Sequence, residues 1–295
     1  PDTATGVTQI VAGGNYTCAL LAGGTVKCWG LNDSGQMGDG TKTDRTTPVP
    51  VPNLAGVVKI VAGGHINCAL LTDATVKCWG INRPGVNTVP GLTGATDVAV
   101  TMAGCAMVTD GTIKCWGWGN PGGASITDRT TPTTVSGFTG ATKLLGGSFW
   151  HDCALVSGGI AKCWGYAILD NFFCTSNCFT GPLPGGATPI ADFSGIADMG
   201  FFDPFSPASQ SYCALLAAGS IKCLGKNDKG QMGNGTVIAP DSWVTVTGST
   251  GASSLAVGGA HACAIWSDSV LRCWGANSSG QLGAVSYTHL TLPTI

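Results

Sequence analysis

Glutamate is absent from this chain of 295 residues, and charge of either sign is scarce. Acidic residues number 16, all of them Asp, and charged residues make up only 10% of the total. Glu is one of the better helix formers, whereas Asp favours turns and caps. The net charge of −2 comes without a basic cluster, so the sequence has no electrostatic footprint for nucleic acid. We therefore expect a turn-rich protein with little helix and no nucleic-acid partner.

Long hydrophobic runs are also missing. No segment of about 18 uninterrupted apolar residues occurs, so no membrane insertion is expected. The chain starts at Pro1 without Met or a signal peptide, and any secretion signal is expected to lie outside it. Glycine, in contrast, is abundant at 46 residues, about twice its usual share. With 44% apolar residues, this composition is typical of a folded all-β protein.

The cysteines follow a regular pattern, in which a Cys, nine residues and a second Cys recur six times. Each pair encloses two apolar segments around a short turn, as in residues 19–21, 22–24 and 25–27, which predicts a tight β-hairpin. An odd loop centred on the fifth residue places both cysteines opposite each other, with Cα atoms about 4.5–5.5 Å apart, which suits a disulfide. The predicted pairs are Cys18 with Cys28, Cys68 with Cys78, Cys105 with Cys115, Cys153 with Cys163, Cys213 with Cys223 and Cys263 with Cys273.

Zinc binding is the alternative for these cysteines. Zinc sites use shorter spacings, usually with His, and only Cys174 and Cys178 approach them, in a polar loop without His. A seventh disulfide between these two is the favoured interpretation. Seven pairs with none left over indicate an oxidising compartment, and hence a secreted or cell-surface protein. The alternative is a cytosolic protein with buried free thiols, but the even count and fixed register argue against it.

The hairpins belong to an internal repeat of about 50 residues. A strand-like segment such as residues 57–64 precedes each hairpin, and Trp-Gly, a glycine-rich loop and often a strand opening with Pro follow it. Four strands in a unit of this size indicate the blade of a β-propeller. The sequence thus predicts one all-β propeller domain of six repeats over residues 1–285. Residues 286–295 match nothing in the repeat, resemble translated adaptor sequence, and are expected to be a non-native tail.

The repeat resembles that of the regulator of chromosome condensation family. The likeness is carried by residues 11–21, 24–30 and 32–41, and it extends over residues 7–284. The Gly-Gln-Met-Gly signature within the third segment returns at 230–233, and with Leu for Met at 280–283. The resemblance implies a propeller, commonly of seven blades, so six repeats could also form a truncated ring. Members with cysteine pairs in this register are similar to bacterial extracellular versions.

Three features depart from the family pattern. A His two residues before the first Cys occurs only as His151 and His261, and the second to fourth units lack the glycine-glutamine loop. Leu224 replaces the Trp that otherwise follows the second Cys. The Trp at this position is expected in the core between blades rather than in a ligand cage. These departures leave the predicted fold unchanged, but they weaken any inference of function from the family.

The sequence offers little for catalysis. General acid–base chemistry would fall to Asp or His, and Asp152 adjoins His151. Neighbours in a strand point to opposite faces, however, so a catalytic dyad is not expected. Asn32, Asp33 and Asp39 suggest a calcium loop, but their spacing is not that of an EF-hand, and turn capping is the alternative. We expect no cofactor and no metal.

A non-catalytic binding or scaffold module, secreted or on the cell surface, is the favoured function, because a propeller presents its loops on a rigid ring. The partner would be a protein or surface ligand, and the chain is expected to be monomeric. A propeller lyase or hydrolase is the first alternative. The second is the family's namesake activity, nucleotide exchange on the nuclear GTPase Ran, although disulfides are scarce where that partner resides.

A binding site is predicted where loop insertions gather aromatic residues. If the strands alternate in direction, the loops before the first Cys and after Trp-Gly emerge on one face, opposite the hairpin turns. Insertions in the fourth and fifth units would collect most of the Phe residues there, as an aromatic anchor for a partner. The alternative is a satellite core beneath long loops. The predicted site consists of Trp118, Phe149, Trp150, His151, Phe172, Phe173, Phe179, Phe201, Phe202 and Phe205.

Overall fold

A computed structural model describes residues 6–81, 83–101, 103–117, 129–135, 138, 140–147, 151–167, 181–182, 188–189, 194–202, 211–258, 260–268, 270–277 and 282. Its regular structure is entirely β, in six antiparallel blades that follow one another around a central axis. The predicted all-β propeller is thereby confirmed. No helix long and apolar enough to cross a membrane occurs in this part of the chain. Residues 286–295, the expected tail, lie outside it.

Blades 1 to 3 each contain four strands that pair in chain order. The innermost strand comes first and the outermost strand comes last. Blade 1 contains β1 (Val7–Ala12), β2 (Tyr16–Leu21), β3 (Thr25–Gly30) and β4 (Arg45–Pro50); blade 2 contains β5 (Val57–Ala62), β6 (Ile66–Leu71), β7 (Val76–Gly80) and β8 (Arg83–Thr88); blade 3 contains β9 (Ala95–Val100), β10 (Ala103–Val108), β11 (Ile113–Gly117) and β12 (Arg129–Thr134).

Blades 4 to 6 keep this order with local differences. Two short segments pair with the third strand of blade 4, and three strands are described in blade 6. Blade 4 contains β13 (Ala141–Gly147), β14 (His151–Val156), β15 (Ile160–Ala167), β16 (Gly181–Pro182) and β17 (Thr188–Pro189); blade 5 contains β18 (Ile196–Phe202), β19 (Ser211–Leu216), β20 (Ile221–Leu224) and β21 (Val244–Thr245); blade 6 contains β22 (Ala252–Val257), β23 (His261–Trp266) and β24 (Leu271–Gly275).

A disulfide joins the second and third strands of every blade. The two cysteines are directly opposite each other in the strand register, for example Cys18 with Cys28 and Cys263 with Cys273. Their Cα atoms are 4.0 to 4.1 Å apart, slightly closer than the sequence predicts. The six predicted hairpin disulfides are thus present. Cys174 and Cys178 lie outside the described residues, so the seventh pair stays a prediction.

The hairpin turns abut the next blade, and this contact requires glycine. In blade 1 the backbone N–H of Val57 donates to the carbonyl of Gly24 over 3.0 Å. Gly24 has a φ of 75°, and a Cβ there would lie 2.9 Å from the nitrogen of Val57. A side chain would therefore be strained both by its backbone and by its neighbour. Gly159 and Gly219 repeat this close approach in blades 4 and 5.

Each blade has two unlike faces, and the core lies between them. The face that carries the disulfide, here called the disulfide face, packs against the face of the following blade that carries its Trp, here called the tryptophan face. Trp79 and Trp116 are wholly buried in this way, as expected for core residues. Between blades 1 and 2 the disulfide face supplies Cys18, Leu20, Val26 and Cys28, and the tryptophan face supplies Val57, Ile60, Ala69, Leu71 and Trp79.

The innermost strands are also linked from blade to blade. In blades 1, 2 and 4 the side chain of the third residue of the inner strand reaches the next blade, either its backbone or the residue at the same position. In two of these links a Lys of one blade pairs with an Asp of the next blade. The links are two hydrogen bonds of 2.9 Å between Gln9 and the backbone of Ile60, an ion pair between Lys59 and Asp97, and an ion pair of 2.9 Å between Lys143 and Asp198.

Candidate functional site

The loops after the first and third strands of a blade emerge on the same side of the propeller. In blade 1 the N–H of Leu31 donates to the carbonyl of Asn15 over 3.0 Å, which joins the end of the first loop to the beginning of the second. Ile81 and His65 repeat this contact over 2.9 Å in blade 2. We call this side the loop face. The hairpin turns occupy the opposite side, the turn face, as the alternating strand directions predict.

A buried asparagine anchors the long loop of blade 1. The side chain of Asn32 donates to the carbonyls of Thr41 and Thr43 over 3.2 and 3.0 Å, and it accepts the N–H of Met37 over 2.9 Å. One side chain therefore joins both ends and the middle of the loop. Such a loop is a rigid support rather than a mobile lid.

The equivalent loop of blade 5 uses the same anchor. Asn227 donates to the carbonyls of Thr236 and Ile238 over 3.0 and 2.9 Å, and it accepts the N–H of Met232 over 3.0 Å. The two loops share their backbone bonding but not their exposed side chains. Lys42 in blade 1 corresponds to Val237 in blade 5, and Val237 is largely exposed.

The glutamine of the loop signature serves the contact between blades. The carbonyl of Gln36 accepts the indole N–H of Trp79 over 2.8 Å and the side-chain amide of Asn67 over 3.0 Å. The carbonyl of Gln231 accepts the indole N–H of Trp274 over 3.0 Å. These acceptors are backbone atoms, so the sequence alone could not reveal them. The loop signature is structural at its buried side.

At its exposed side the loop of blade 1 forms a polar cluster with blade 2. The side-chain amide of Gln36 donates to Asp33 over 3.0 Å and lies 3.2 Å from Nδ1 of His65. The side chains of Asp33 and His65 are 59% and 45% exposed. The hydrogen bond from Gln36 lowers the pKa of Asp33, so this carboxylate is a charged acceptor rather than a base. The cluster can bind polar groups of a partner.

The calcium interpretation of this loop gives way to turn capping. Asp39 accepts two hydrogen bonds from Arg45, of 2.6 and 3.1 Å, and it accepts the N–H of Thr41 over 2.9 Å. Partial burial raises the pKa of Asp39, but these donors outweigh it and lower the pKa to about 2. Its oxygens are therefore occupied by protein donors. No group of three or more metal-ligating side chains occurs in the described ranges.

The predicted aromatic site is mostly beyond the described part of the chain. His151 and Phe202 lie at the loop ends of strands β14 and β18, but their side chains are not among the described ones. Phe201 is described in full. Trp118, Phe149, Trp150, Phe172, Phe173, Phe179 and Phe205 fall outside the described residues.

Phe201 packs into blade 5. Its ring meets Tyr212 edge-to-face, with centroids 5.6 Å apart, and Tyr212 in turn lies 6.5 Å from Trp243. All three are partly buried against a cluster that includes Met199. This arrangement fits a satellite core better than a free aromatic anchor. The exposed aromatic patch as a whole stays a prediction.

The axis of the propeller contains an open cavity of about 320 Å³. Its lining is mainly apolar and comes from the inner strands, including Val11, Val61 and Leu145. Lys59 contributes the charged group of this lining, and it is paired with Asp97. The lining includes no cluster of acids or histidines.

Asp152 is a buried carboxyl between blades 3 and 4. The hydroxyl of Thr101 donates to it over 3.5 Å, and Sγ of Cys105 lies 3.6 Å from its second oxygen. Burial raises the pKa of Asp152 to about 7, although the bond from Thr101 lowers it. The group is 6% exposed and faces the disulfide of the preceding blade. It is therefore enclosed between two blades. The expectation that it forms no catalytic dyad with His151 stays a prediction, because the side chain of His151 is not among the described ones.

Comparison with protein families identifies the repeat. Two family models of the Regulator of chromosome condensation (RCC1) repeat match the first two blades, one at residues 7–36 and 57–85 and the other at 23–70. The later blades repeat the strand order, cysteine positions and interface of these two. The chain is a β-propeller whose first two blades match the RCC1 repeat. The resemblance inferred from the sequence is thus confirmed.

Solved structures share this fold. The structure of human WBSCR16 has a TM-score of 0.76 at 17% identity, covering 96% of this chain and 79% of that one. A chain of the structure of Kap60 bound to yeast RCC1 (Prp20) has a TM-score of 0.73 at 19% identity, covering 92% of this chain and 70% of that one. At these identities the likeness concerns the fold alone.

A curated relative is the secretion-regulating guanine nucleotide exchange factor of Bos taurus. It is 44% identical over 50 residues, which are 17% of this chain and 11% of the bovine protein. The match therefore spans about one blade. A match of this length does not transfer the activity of the whole bovine protein to this chain.

Proposed function

We propose that this RCC1-repeat propeller is a non-catalytic protein-binding module of an oxidising compartment, secreted or displayed on the cell surface. The observation that carries the proposal is the set of six hairpin disulfides, one in each blade. Disulfides of this number persist outside the reducing cytosol and nucleus. The partner is a protein, as for the structurally similar Prp20p from Saccharomyces cerevisiae, which binds Gsp1p and histones.

The loop face supports the binding role better than the turn face does. Its loops are anchored by Asn32 and Asn227 and present exposed groups such as Asp33 and Val237. The turns are short, and positions such as Gly24 leave no room for a side chain. Rigid loops that vary in sequence are the usual binding elements of such scaffolds. The predicted aromatic insertions would lie on this same face.

The redox state of the cysteines tests the compartment. Cells of the natural host are quenched with acid, and the protein is alkylated without reduction and then analysed by mass spectrometry. We expect all twelve hairpin cysteines to be unlabelled, because the paired sulfurs cannot react. A protein from the host that carries many alkylated cysteines would contradict an oxidising compartment. Alkylation after reduction is the control, which shows that the reagent can reach these cysteines.

Site-specific crosslinking tests the binding face. A photoreactive residue is placed at Asp33 on the loop face or at Asp73 on a hairpin turn, both exposed aspartates that cap turns. We expect a specific crosslinked protein from position 33 and none from position 73. The predicted aromatic patch is tested by the double variant Phe173→Ala and Phe202→Ala, which should weaken binding of that protein. Equal crosslinking from both positions would exclude the loop face as the site.

Guanine-nucleotide exchange is the second candidate, favoured by the name of the bovine relative. The test measures release of a fluorescent GDP analogue from small GTPases in the presence of the oxidised protein. For the proposed binding module we expect the spontaneous rate. Accelerated release that the Asp33→Ala variant abolishes would establish exchange activity instead. The same variant must keep its disulfides, so that loss of activity is not loss of fold.

A further inference from the structure

Four segments of the chain match Asn-x-Ser/Thr, the acceptor sequence for N-linked glycosylation, and they begin at Asn15, Asn32, Asn234 and Asn277. In a secreted protein such a sequence is modified where it lies in a surface loop. The motif is short and also arises by chance. The structure therefore has to decide which of the four asparagines can carry a glycan.

Two of the four asparagines serve as loop anchors. Asn32 is 0% exposed, and its Nδ2, the atom that would carry the glycan, donates to the carbonyls of Thr41 and Thr43 over 3.2 and 3.0 Å. Asn277 accepts the N–H of Leu282 over 3.0 Å, which places it at the same anchor position in blade 6. A glycan on Asn32 would disrupt the anchor of its loop, and the same role makes Asn277 a poor acceptor.

The acceptor sequence at Asn15 runs into a strand. Asn15 is exposed at the loop face, but Tyr16 is 3% exposed and Thr17 is paired with Trp29 between β2 and β3. Once the blade has folded, an enzyme cannot draw this segment into its active site without opening the strand pair. Asn15 is therefore a weaker candidate than an asparagine whose whole acceptor sequence lies in a loop.

The sequence Asn234-Gly235-Thr236 lies wholly within the long loop of blade 5. Gly235 and Thr236 are exposed, and Asn234 is partly exposed. Oδ1 of Asn234 accepts the N–H of Thr236 and Nδ2 of Asn227, each over 3.2 Å. Nδ2 of Asn234 has no hydrogen-bond partner in the described part of the chain. The oxygen thus holds the turn, while the nitrogen is available for modification.

The loop of blade 1 shows what has changed around this nitrogen. Asp39 takes the same loop position, and its Oδ1 likewise accepts the N–H of Thr41, over 2.9 Å. Its second oxygen, which corresponds to Nδ2 of Asn234, accepts two hydrogen bonds from Arg45, of 2.6 and 3.1 Å. Pro240 replaces Arg45 in blade 5, and its ring has no donor. Blade 5 therefore keeps the turn but lacks the side chain that occupies this atom in blade 1.

The apolar side chains beside Asn234 are a second observation. Val237 and Ile238 are 61% and 74% exposed, whereas the polar Lys42 and Thr43 occupy these positions in blade 1. Neighbouring apolar side chains exposed on a rigid loop favour unwanted association unless something covers them. An N-linked glycan is bulky and solubilising. Attached to Asn234, it would lie beside these two side chains and shield them from other molecules.

We propose that Nδ2 of Asn234 carries an N-linked glycan. The donor is an oligosaccharide joined through a diphosphate to a lipid. The amide nitrogen forms a bond to the anomeric carbon and gives up one proton, while the bond from that carbon to the diphosphate oxygen breaks and the lipid diphosphate leaves. No oxidant or reductant is needed. The proposal rests on the proposed secretion into an oxidising compartment, since secreted chains are the ones that receive N-glycans.

Glycopeptide mass spectrometry on the protein from its natural host tests the proposal. We expect a glycan on the peptide that contains Asn234 and none on the peptide that contains Asn32. Release by peptide-N-glycosidase in heavy-oxygen water should leave a labelled Asp at position 234, which distinguishes a former glycan from spontaneous deamidation. A bare Asn234 in protein whose hairpin disulfides are intact would overturn the glycan and leave the compartment standing. A bare Asn234 together with free thiols would overturn both.

Two variants secreted from cells that add N-glycans exchange the chemistry of the two loops. Asn234→Asp keeps the oxygen that holds the turn but removes the nitrogen, so we expect complete loss of this glycan with the disulfides unchanged. Asp39→Asn combined with Arg45→Ala gives blade 1 the same Asn-Gly-Thr sequence without the guanidinium, and it should gain a second glycan. The gain does not depend on the folding of the first variant.

The mass of the secreted protein before and after glycosidase treatment reports both results. A glycan that persists at full occupancy in Asn234→Asp would place it on another asparagine and overturn the proposal. A blade 1 variant that is secreted with its disulfides but without a second glycan would show that this loop conformation does not make an acceptor, and it would overturn the structural argument for Asn234.

Discussion

Two buried polar side chains are well hydrogen-bonded at the interface between blades 1 and 2. The side chains at the same positions between blades 3 and 4 are not. In the first, Trp79 and Asn67 both donate to the carbonyl of Gln36. In the second, the same positions hold Trp164 and Asp152. The indole N–H of Trp164 is buried and has no hydrogen-bond partner in the described part of the chain, and Asp152 accepts one long bond.

The difference lies in the loop of the preceding blade. The glycine-glutamine loop, whose carbonyl is the acceptor in blade 1, is present in the sequence of blade 1 and missing from the sequences of blades 2 and 3. Trp116, which follows blade 2, is likewise buried without a partner for its indole N–H among the described residues. Leu224 follows a blade that also lacks the loop, and its side chain needs no acceptor. An unpaired buried polar group destabilises a fold by about 1–3 kcal/mol.

The largest effect is expected from Asp152→Asn. This variant places between blades 3 and 4 the side-chain amide that Asn67 provides between blades 1 and 2. Folding raises the pKa of Asp152 from 3.8 to about 7, so the protonated carboxyl favours the folded state. That contribution is complete below pH 3.8 and is lost as the pH rises through 7, up to about 4 kcal/mol. We expect the variant to be more stable at pH 8 by about 1 to 4 kcal/mol in urea unfolding.

The exchange in the other direction is its control. Asn67→Asp places a carboxyl at the equivalent position of the better interface and should destabilise the protein at pH 8 more than at pH 4. If the free energy of unfolding of Asp152→Asn falls between pH 4 and 8 as steeply as that of the original protein, Asp152 does not carry the pH dependence.

The two tryptophans should respond differently to the loss of the indole N–H. Trp79→Phe loses a buried hydrogen bond as well as volume, whereas Trp164→Phe loses volume and also removes an unpaired donor. The second variant keeps its edge-to-face contact with Phe138, whose ring centroid lies 4.8 Å away. We expect Trp79→Phe to be more destabilising by about 1–2 kcal/mol, measured as free energies of unfolding.

Equal losses in both variants would indicate that volume alone decides the cost. Trp274→Phe is the internal replicate, because its indole N–H donates to Gln231 as that of Trp79 does to Gln36. It should resemble Trp79→Phe rather than Trp164→Phe.

The smallest effect is expected from Thr101→Val. The hydroxyl of Thr101 is a donor to Asp152 over 3.5 Å, which is a weak bond. Its removal should destabilise the charged carboxylate by about 0.5 kcal/mol at pH 8 and leave the stability at pH 4 unchanged. The same loss at both pH values would mean that Thr101 acts through packing and not through this bond.

The sequence predicted those features that depend on local spacing. Nine residues between cysteines fix both the hairpin and the disulfide, and alternation along the strand puts the residue before Cys153 on the face opposite the disulfide. The burial of Asp152 against Cys105 needs the relative placement of two blades. Spacing within one repeat contains no information on that placement.

The candidate site was predictable only in part. The side of the propeller followed from strand direction, but the role of Gln36 rests on its backbone carbonyl, which no side-chain pattern reports. The prediction of the aromatic site relied on the number of Phe residues in the loop insertions. Phe201, the member described here in full, packs on Tyr212 instead of standing free. The sequence of a long loop does not reveal which side of an aromatic cluster remains exposed.

The hairpin position of the disulfides also bears on how the chain acquires them. Eight cysteines already allow about a hundred pairings, and this chain has more. Every observed pair is separated by 10 residues. Closing a short loop loses less chain entropy than closing a long one, so each Cys meets its correct partner first. Each blade can therefore be oxidised as soon as its hairpin emerges, and the chain should reach its native pairing with little disulfide shuffling.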